Sequence, residues 1–372
     1  MSKLYPSLFF DISRKIFFIF TNLNKGKYKF LSYGFYLLSL CFSFIVKIRN
    51  FFYDKGILKT TTINKFVISV GNIVVGGTGK TQLVCWLVEE LSKSSLALAV
   101  LYRGYKGILS NYFLPIIVDP IFSIPFEVGD EPFLCASKFP NVPVIINKNR
   151  LKCAKTAEQI GADVLIIDDG LQYRKLDRDL NLIVVNANDL YGGNNFLPFG
   201  RLRDHPKRLS EADFIFVNGD YSKKVDEILL KKTSSPIIYF KPKVTEISIS
   251  NGEILSSLEN MPIGVFCGLG SPENFFTTLK EIGALIVAQY ILPDHQAITL
   301  SELRFFSEQV ASRGGRYLIC TEKDFVKCPS FPNGENILPI GKVQVKLVIT
   351  HNRSYINDLL DTICKRNRRS FL

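Results

Sequence analysis

The sequence predicts an α/β protein: a mainly parallel sheet core, a second and smaller α/β domain after it, and an apolar helix before it. Three observations carry this expectation. Short apolar runs alternate with amphipathic helical patterns along most of the chain. A glycine-rich turn, VVGGTGKT, joins one such run to a helix at residues 74–81. A long uncharged stretch near the N-terminus is bracketed by basic residues.

Composition sets the outer bounds. The chain has 372 residues, of which 47% are hydrophobic, enough for a sizeable core and about two domains. The formal charge of +12 and a pI near 9.2 point to an anionic partner: nucleotide phosphate, nucleic acid, an acidic lipid surface or an anionic substrate. Charge alone does not choose among them. Eight cysteines are scattered without a C-x-x-C pair, which reads as reduced thiols in a cytosolic compartment, most of them small core residues.

The N-terminal stretch Phe30 to Val46 (FLSYGFYLLSLCFSFIV) carries no charge, with Lys25, Lys27 and Lys29 before it and Lys47 and Arg49 after. Seventeen residues sit at the lower limit for spanning a bilayer, so a helix lying in or dipping into one leaflet is expected; a buried core helix is the alternative. Ile16 to Phe20 (IFFIF), after Arg14 and Lys15, repeats the basic-then-apolar pattern and favours the membrane surface. No small-residue cleavage site marks a signal peptide. Residues 1–60 are assigned to this membrane-associating segment.

Strands are expected at 66–70, 96–101, 142–146, 164–167, 182–185 and 214–217, with helices between them, which makes residues 61–235 a parallel-sheet core. Residues 236–262 break the rhythm with proline, lysine and alternating residues, as a linker of extended strands would. A second alternation over 263–372 places strands at 263–267, 284–290, 317–320 and 343–349 and helices at 272–282 and 299–313. The basic tail, Lys365 to Arg369, reads as a solvated end or a contact to anionic lipid.

The turn between strand 66–70 and the helix through Leu83, Leu87 and Leu91 has the context a phosphate-binding P-loop needs. The fold class is therefore a P-loop NTPase-type core. Val74, Val75, Gly76, Gly77, Thr78, Gly79, Lys80 and Thr81 are the expected ATP-binding residues. The glycines let backbone N–H groups face the phosphates, Lys80 reaches the β and γ oxygens, and the Thr81 hydroxyl can ligate Mg²⁺. Val74 stands where the usual pattern has its first glycine, so the loop is a variant. Asp168 and Asp169, at the end of the strand 164–167, are the candidates to hold or position the Mg²⁺.

A kinase also needs a base for the acceptor hydroxyl. Gly129-Asp130-Glu131-Pro132 sets two carboxylates at a helix start, and Pro293-Asp294-His295 lies in a loop ahead of a Thr299–Glu302 capping-box spacing. An Asp130–His295 pair would be a better base than either alone, although sequence does not show that they meet. Arg103 and Arg203 are candidate phosphate contacts, and surface ion pairs would explain them equally well. A P-loop switch protein that hydrolyses nucleotide is the rival reading, and the candidate base favours the kinase.

Together these motifs, in this order, resemble the tetraacyldisaccharide 4′-kinase (lipid A 4′-kinase) family. The resemblance runs from about Gly34 to Cys328 and includes SVGNIVVGGTGKT, YRGYKG, VGDEP, IIDDGLQYRKLDRDL, FLPFGRLRD, GLGSPENFF, LPDHQAIT and TEKDFVKC. It implies transfer of the ATP γ-phosphate to the 4′-hydroxyl of a tetraacyldisaccharide 1-phosphate, giving lipid IV-A at the cytoplasmic face of the bacterial inner membrane. It further implies Asp130 with His295 as the base pair, Asp168, Asp169 and Glu131 in the Mg²⁺ and phosphate environment, and Arg103 and Arg203 on phosphate. The partners implied are the lipid disaccharide and an anionic membrane surface, with no nucleic acid and no obligate protein partner. The two lobes of the family close over the nucleotide. Three positions depart from its pattern: Tyr173 replaces the histidine of D-D-G-x-Q-H, Gln82 a proline after the P-loop threonine, and Arg201 a proline before Leu-Arg.

Overall fold

The computed structural model describes residues 29–269, 272–293, 296–329 and 337–369. The second N-terminal apolar segment, Ile16 to Phe20, lies outside them. The strands are β1 (Phe66–Gly71), β2 (Leu98–Tyr102), β3 (Ile116–Ile117), β4 (Val144–Ile146), β5 (Val164–Asp168), β6 (Leu180–Asn186) and β7 (Phe214–Asn218), followed by β8 (Ile237–Ile249), β9 (Ile254–Leu255), β10 (Pro262–Cys267), β11 (Leu285–Ile291), β12 (Tyr317–Thr321) and β13 (Ile340–His351). They form one sheet in the order β11-β10-β12-β13-β8-β7-β6-β1-β5-β2-β4-β3, with β9 paired to β8. β1, FVISVG, is buried along its whole length, as a central parallel strand covered on both faces must be.

Apart from the short β3, the paired strands from β1 to β7 are parallel, so their carboxyl ends share one edge. Residues 237–249, expected as linker, form the single strand β8. Its first part pairs parallel with β7, and along its length it pairs antiparallel with β13. β10, β11 and β12 run parallel to β13 and so point against β1 and its neighbours. Because β12 meets β13 beside the far end of β8, the carboxyl ends of β10, β11 and β12 turn back toward those of β1 and β5. The two sets of strand ends therefore face each other across a cleft, the position at which open α/β sheets bind ligands.

Apolar clusters cover both faces of each half. The last helix, Ser354–Arg369, does not stay with the second half in which sequence placed it. Ile356, Leu359 and Ile363, spaced on one helical face, are buried in the cluster that holds Val70, Leu83 and Phe240. Thr299 and Glu302 make the expected capping box, fixing the start of the helix Leu300–Ser312. All eight cysteines are free thiols.

The N-terminal helix runs from Lys29 to Asp54, longer than its uncharged stretch because propensity carries it through Lys47 and Arg49. By length and composition Ser32–Asp54 is apolar enough to cross a membrane. Only a narrow stripe is buried, including Ser39, Val46 and Asn50. Asn50 donates to the fully buried Asp204 at 2.8 Å, Arg49 lies 3.5 Å from the same carboxylate, and Tyr36 packs edge-on to Phe199.

Candidate active site

The phosphate loop is held by polar contacts from the ends of β1 and β7 and from the loop segment 201–203. Residues 73–75 lie against 201–203: Val75 N–H donates to Arg201 O at 2.8 Å and Arg203 N–H to Ile73 O at 2.9 Å. In that extended pairing the Val74 side chain is buried among Leu171, Ile183 and Leu202, which accounts for valine where a glycine is usual. Asn72 Nδ2 donates to Thr78 Oγ1 at 2.8 Å, and Asn218 Nδ2 to Thr78 O at 3.2 Å. Gly79 has φ 101° and caps the helix Lys80–Leu91; a Cβ there would lie 2.9 Å from Phe240 Cζ, so only glycine fits. A Cβ on Gly77 would meet nothing within 4 Å, which leaves the crest of the loop open to a ligand. The helix N-terminus adds partial positive charge beneath it.

Asp168 and Asp169 stand beside the loop in different electrostatic states. Asp169 adopts a left-handed conformation (φ 54°). The following Gly170 packs so closely that a Cβ would sit 2.6 Å from Ser69 Oγ. Asp169 is gripped at both oxygens by Arg203, with Nη1 donating to Oδ2 at 2.7 Å and Nη2 to Oδ1; Arg203 also donates to Asn72 Oδ1. Lys80 Nζ lies 3.5 Å from Asp169 Oδ1. Burial alone would push Asp169 up, but Arg203 and then Lys80 hold it well below the usual carboxylate range. Asp168 is buried with an oxygen, Oδ1, that has no hydrogen-bond partner among the described residues. Burial, then the charges of Glu131 and Asp169, push it up to about 7 against the opposing pull of Lys80 and Arg150. An orphaned buried carboxylate oxygen under the influence of the phosphate-loop lysine suits a hard cation that takes few protein ligands and keeps its waters.

The surroundings of Asp130 are assembled from both halves. Asp130 opens the helix Asp130–Lys138, and its carboxylate lies 3.4 Å from Lys327 Nζ. Lys327 also lies 3.2 Å from Asp324 Oδ1 and donates to Gln296 O at 3.4 Å. Asp324 is fixed in turn by the Thr321 hydroxyl (2.7 Å) and the Gly268 N–H (3.1 Å). The Lys327 side chain is 6% exposed and that of Asp130 10%, so this bridge is shielded from solvent. Two looser pairs flank it, Lys138–Glu322 at 3.7 Å and Lys323–Glu131 at 4.0 Å.

The sequence profile of tetraacyldisaccharide-1-P 4′-kinases matches residues 31–364. The chain belongs to this kinase family. A tetraacyldisaccharide 4′-kinase from Chlamydia abortus is 41% identical over 370 residues, 98% of each chain, and one from Haemophilus influenzae is 37% identical over 79% of this chain and 83% of its own. The crystal structure of the "apo" form of LpxK from Aquifex aeolicus in complex with ATP superposes with a TM-score of 0.70 at 29% identity, covering 90% of this chain and 99% of that one.

Within this 4′-kinase, the structure gathers Thr78, Gly79, Lys80, Asp168, Asp169 and Arg203 on one edge, with Asp130 and Glu131 near them; Glu131 is close enough to act on the Asp168 carboxyl. Arg203, expected on phosphate, is committed to Asp169 and Asn72. Arg103 is exposed, and its charge reaches Arg150. His295 lies outside the described residues. Tyr173 braces a helix start. Its hydroxyl donates to Asn149 Oδ1 at 2.8 Å and accepts from Leu151 N–H at 3.2 Å, capping the helix Arg150–Gln159, while its ring lies 5.2 Å from the Arg150 guanidinium. Arg150 itself is 5% exposed and adds positive charge beside Asp168 and Asp169. Sequence reading missed Asn72, Arg150, Asn218 and Lys327. Asn72, inside the quoted SVGNIVVGGTGKT, and Lys327, inside the quoted TEKDFVKC, had a local signal.

Proposed function

We propose that this chain transfers the γ-phosphate of ATP to the 4′-hydroxyl of a tetraacyldisaccharide 1-phosphate, forming lipid IV-A, with Mg²⁺ as cofactor and its cleft facing the cytoplasmic surface of a membrane. The observation that carries the reading is the facing of two strand-end sets, one presenting Lys80 and the aspartate pair, the other supplying Lys327 opposite Asp130. A hydrolytic switch has no use for a second lobe braced on a carboxylate in this way.

In the proposed mechanism the glycine loop and Lys80 hold the β and γ oxygens, and Arg203 keeps Asp169 charged and oriented. Thr81, Asp168 and Asp169 would hold the Mg²⁺, with Glu131 in its outer environment. Bound there, the ion would supply positive charge to offset the negative charge that builds on the phosphate. Asp130, with His295 as its partner, accepts the proton of the 4′-hydroxyl as that oxygen bonds to the γ-phosphorus. The bond to the β-phosphate oxygen breaks and ADP leaves. Closure of the two lobes, 61–235 and the strands after 262, brings donor and acceptor into line and excludes water. Arg103, exposed at the cleft, is the proposed contact for substrate phosphate.

The test is lipid phosphorylation by the purified full chain with MgATP and the disaccharide in mixed micelles. Lipid product with little acceptor-independent hydrolysis is expected. Robust hydrolysis without lipid product would overturn the kinase reading. Asp130→Asn should lower turnover by about 10²–10⁴ while leaving ATP binding intact; equal loss of both would reassign Asp130 to the nucleotide.

A further inference from the structure

The segment between β2 and the helix Asp130–Lys138 carries far more exposed apolar surface than a soluble loop has reason to. Phe113 is 81% exposed, Ile121 and Phe122 82%, and Phe126 70%, with Leu114 and Ile117 exposed beside them. Scattered exposed leucines need no explanation, but a dense run of large side chains in one segment marks an interaction surface. The backbone beneath is tied down. β3 pairs antiparallel with β4, Asn147 Nδ2 donates to Tyr112 O at 3.0 Å and Leu114 O at 3.2 Å, and Lys152 Nζ donates to Phe113 O at 2.7 Å. Asp119 accepts from the Ile121 N–H at 2.8 Å and fixes the turn that lifts Ile121 and Phe122 outward. The chain thus spends hydrogen bonds on presenting these side chains to the outside.

We propose that this segment is a second bilayer contact, acting with the N-terminal helix to seat the cleft edge on a membrane containing anionic phospholipid. Three observations choose the bilayer. The segment leaves the carboxyl end of β2, the edge that carries the phosphate loop. That edge also receives the N-terminal helix, whose outward face exposes Leu37, Phe44, Ile45 and Phe51. The two are linked along it, through the Asp54–Arg174 ion pair (2.7 Å) and the adjoining Tyr173–Asn149 hydrogen bond. Finally, Lys148 and Lys152 border this segment, the arrangement in which apolar groups enter the interface while ammonium groups meet lipid phosphates. A second copy of this chain fits less well, because two-fold pairing of the same patch would set those lysines against their own copies in a chain of charge +12. The proposal rests on the kinase reading for its purpose, since a lipid acceptor is reached most directly by a cleft that opens on its bilayer.

The experiment uses the full chain and vesicles without acceptor. The variant Phe113→Ser/Ile121→Ser/Phe122→Ser/Phe126→Ser should bind phosphatidylethanolamine–phosphatidylglycerol vesicles at least about tenfold more weakly than the parent, by flotation. Its KM for acceptor in vesicles should rise, with turnover on micellar acceptor unchanged. As a gentler probe, Phe122→Trp should shift its emission to shorter wavelength when the same vesicles are added. Unchanged flotation together with an unshifted emission overturns the proposal, as does binding that appears only when acceptor is present, which would assign the surface to substrate acyl chains. A concentration-dependent dimer abolished by the serine variant would likewise overturn it in favour of a second copy. Failure of the kinase reading shows separately, as absence of lipid product from the parent in micelles.

Discussion

Around the phosphate loop, Asn72, Thr78, Asn218, Arg203 and Asp169 hold one another through contacts made within one half of the sheet. Around Asp130 the principal partner is a lysine from the other half, itself braced by Asp324, Thr321 and Gly268. The phosphate-loop cluster, the proposed nucleotide side, is thus set by the local fold, whereas the Asp130 bridge, the proposed acceptor side, exists only where the two halves meet. Phosphates are the same in every turnover and can be met by a preformed cradle. In the proposed mechanism a sugar hydroxyl on a bulky lipid has to be admitted first, and a base built across the cleft would be completed as the cleft closes.

The largest expected effect breaks the cross-cleft bridge. Lys327→Met should lower turnover by about ten- to a hundredfold, a share of the ~10²–10⁴ that a positioned base supplies, with the KM for ATP unchanged. Lys327→Arg should recover part of the loss, since it restores the cation with a different shape. A rise in the ATP KM matching the loss of turnover would show that the two sides are one rigid unit, and the contrast would fail.

A second effect sharpens the nucleotide side through pH. Asp168 titrates at about 7 in the fold and near its ordinary value of 3.8 when unfolded, so between those values the folded chain holds the extra proton. Its contribution to stability is full below the unfolded value and is lost as pH rises through 7, by at most about 1.4 kcal/mol per pH unit. The proposed Mg²⁺ site would use the charged form, so the affinity for magnesium nucleotide should increase through the same window. Thermal melts from pH 5 to 8, with and without MgADP, measure both trends. Asp168→Asn should flatten both, and slopes that persist in the variant would place the proton elsewhere.

The smallest effect concerns Tyr173. Tyr173→Phe removes the hydroxyl contacts to Asn149 and Leu151 and should cost about 1 kcal/mol in stability. Turnover should stay within about fivefold, because 1 kcal/mol displaces an equilibrium by only about that factor. A collapse of turnover at intact stability would give the residue a part in the chemistry.

The same contrast governs what could be read from sequence. Strand 66–71, the glycine turn and the Thr299–Glu302 cap are local patterns, and each appears where its residues predict it. The pairing of β8 with β13 was not legible, because proline and lysine in 236–248 disguise a strand whose partner lies about a hundred residues away. Nor was Lys327 as the neighbour of Asp130, since an ion pair across a cleft leaves no periodic trace. Ile356, Leu359 and Ile363 do have helical spacing, but nothing in that spacing says which half of the molecule they cover.

Arg203 and Asp204 are consecutive residues whose side chains serve opposite clients, Asp169 on one side and the Arg49–Asn50 pair of the N-terminal helix on the other. Anyone trimming this enzyme into a detergent-free form for inhibitor work therefore has a boundary to respect. A cut ahead of Val46 sheds much of the greasy surface and keeps the clasp. A cut after Asp54 strips a carboxylate in the protein interior of Asn50 and Arg49, one peptide bond from the arginine that grips Asp169.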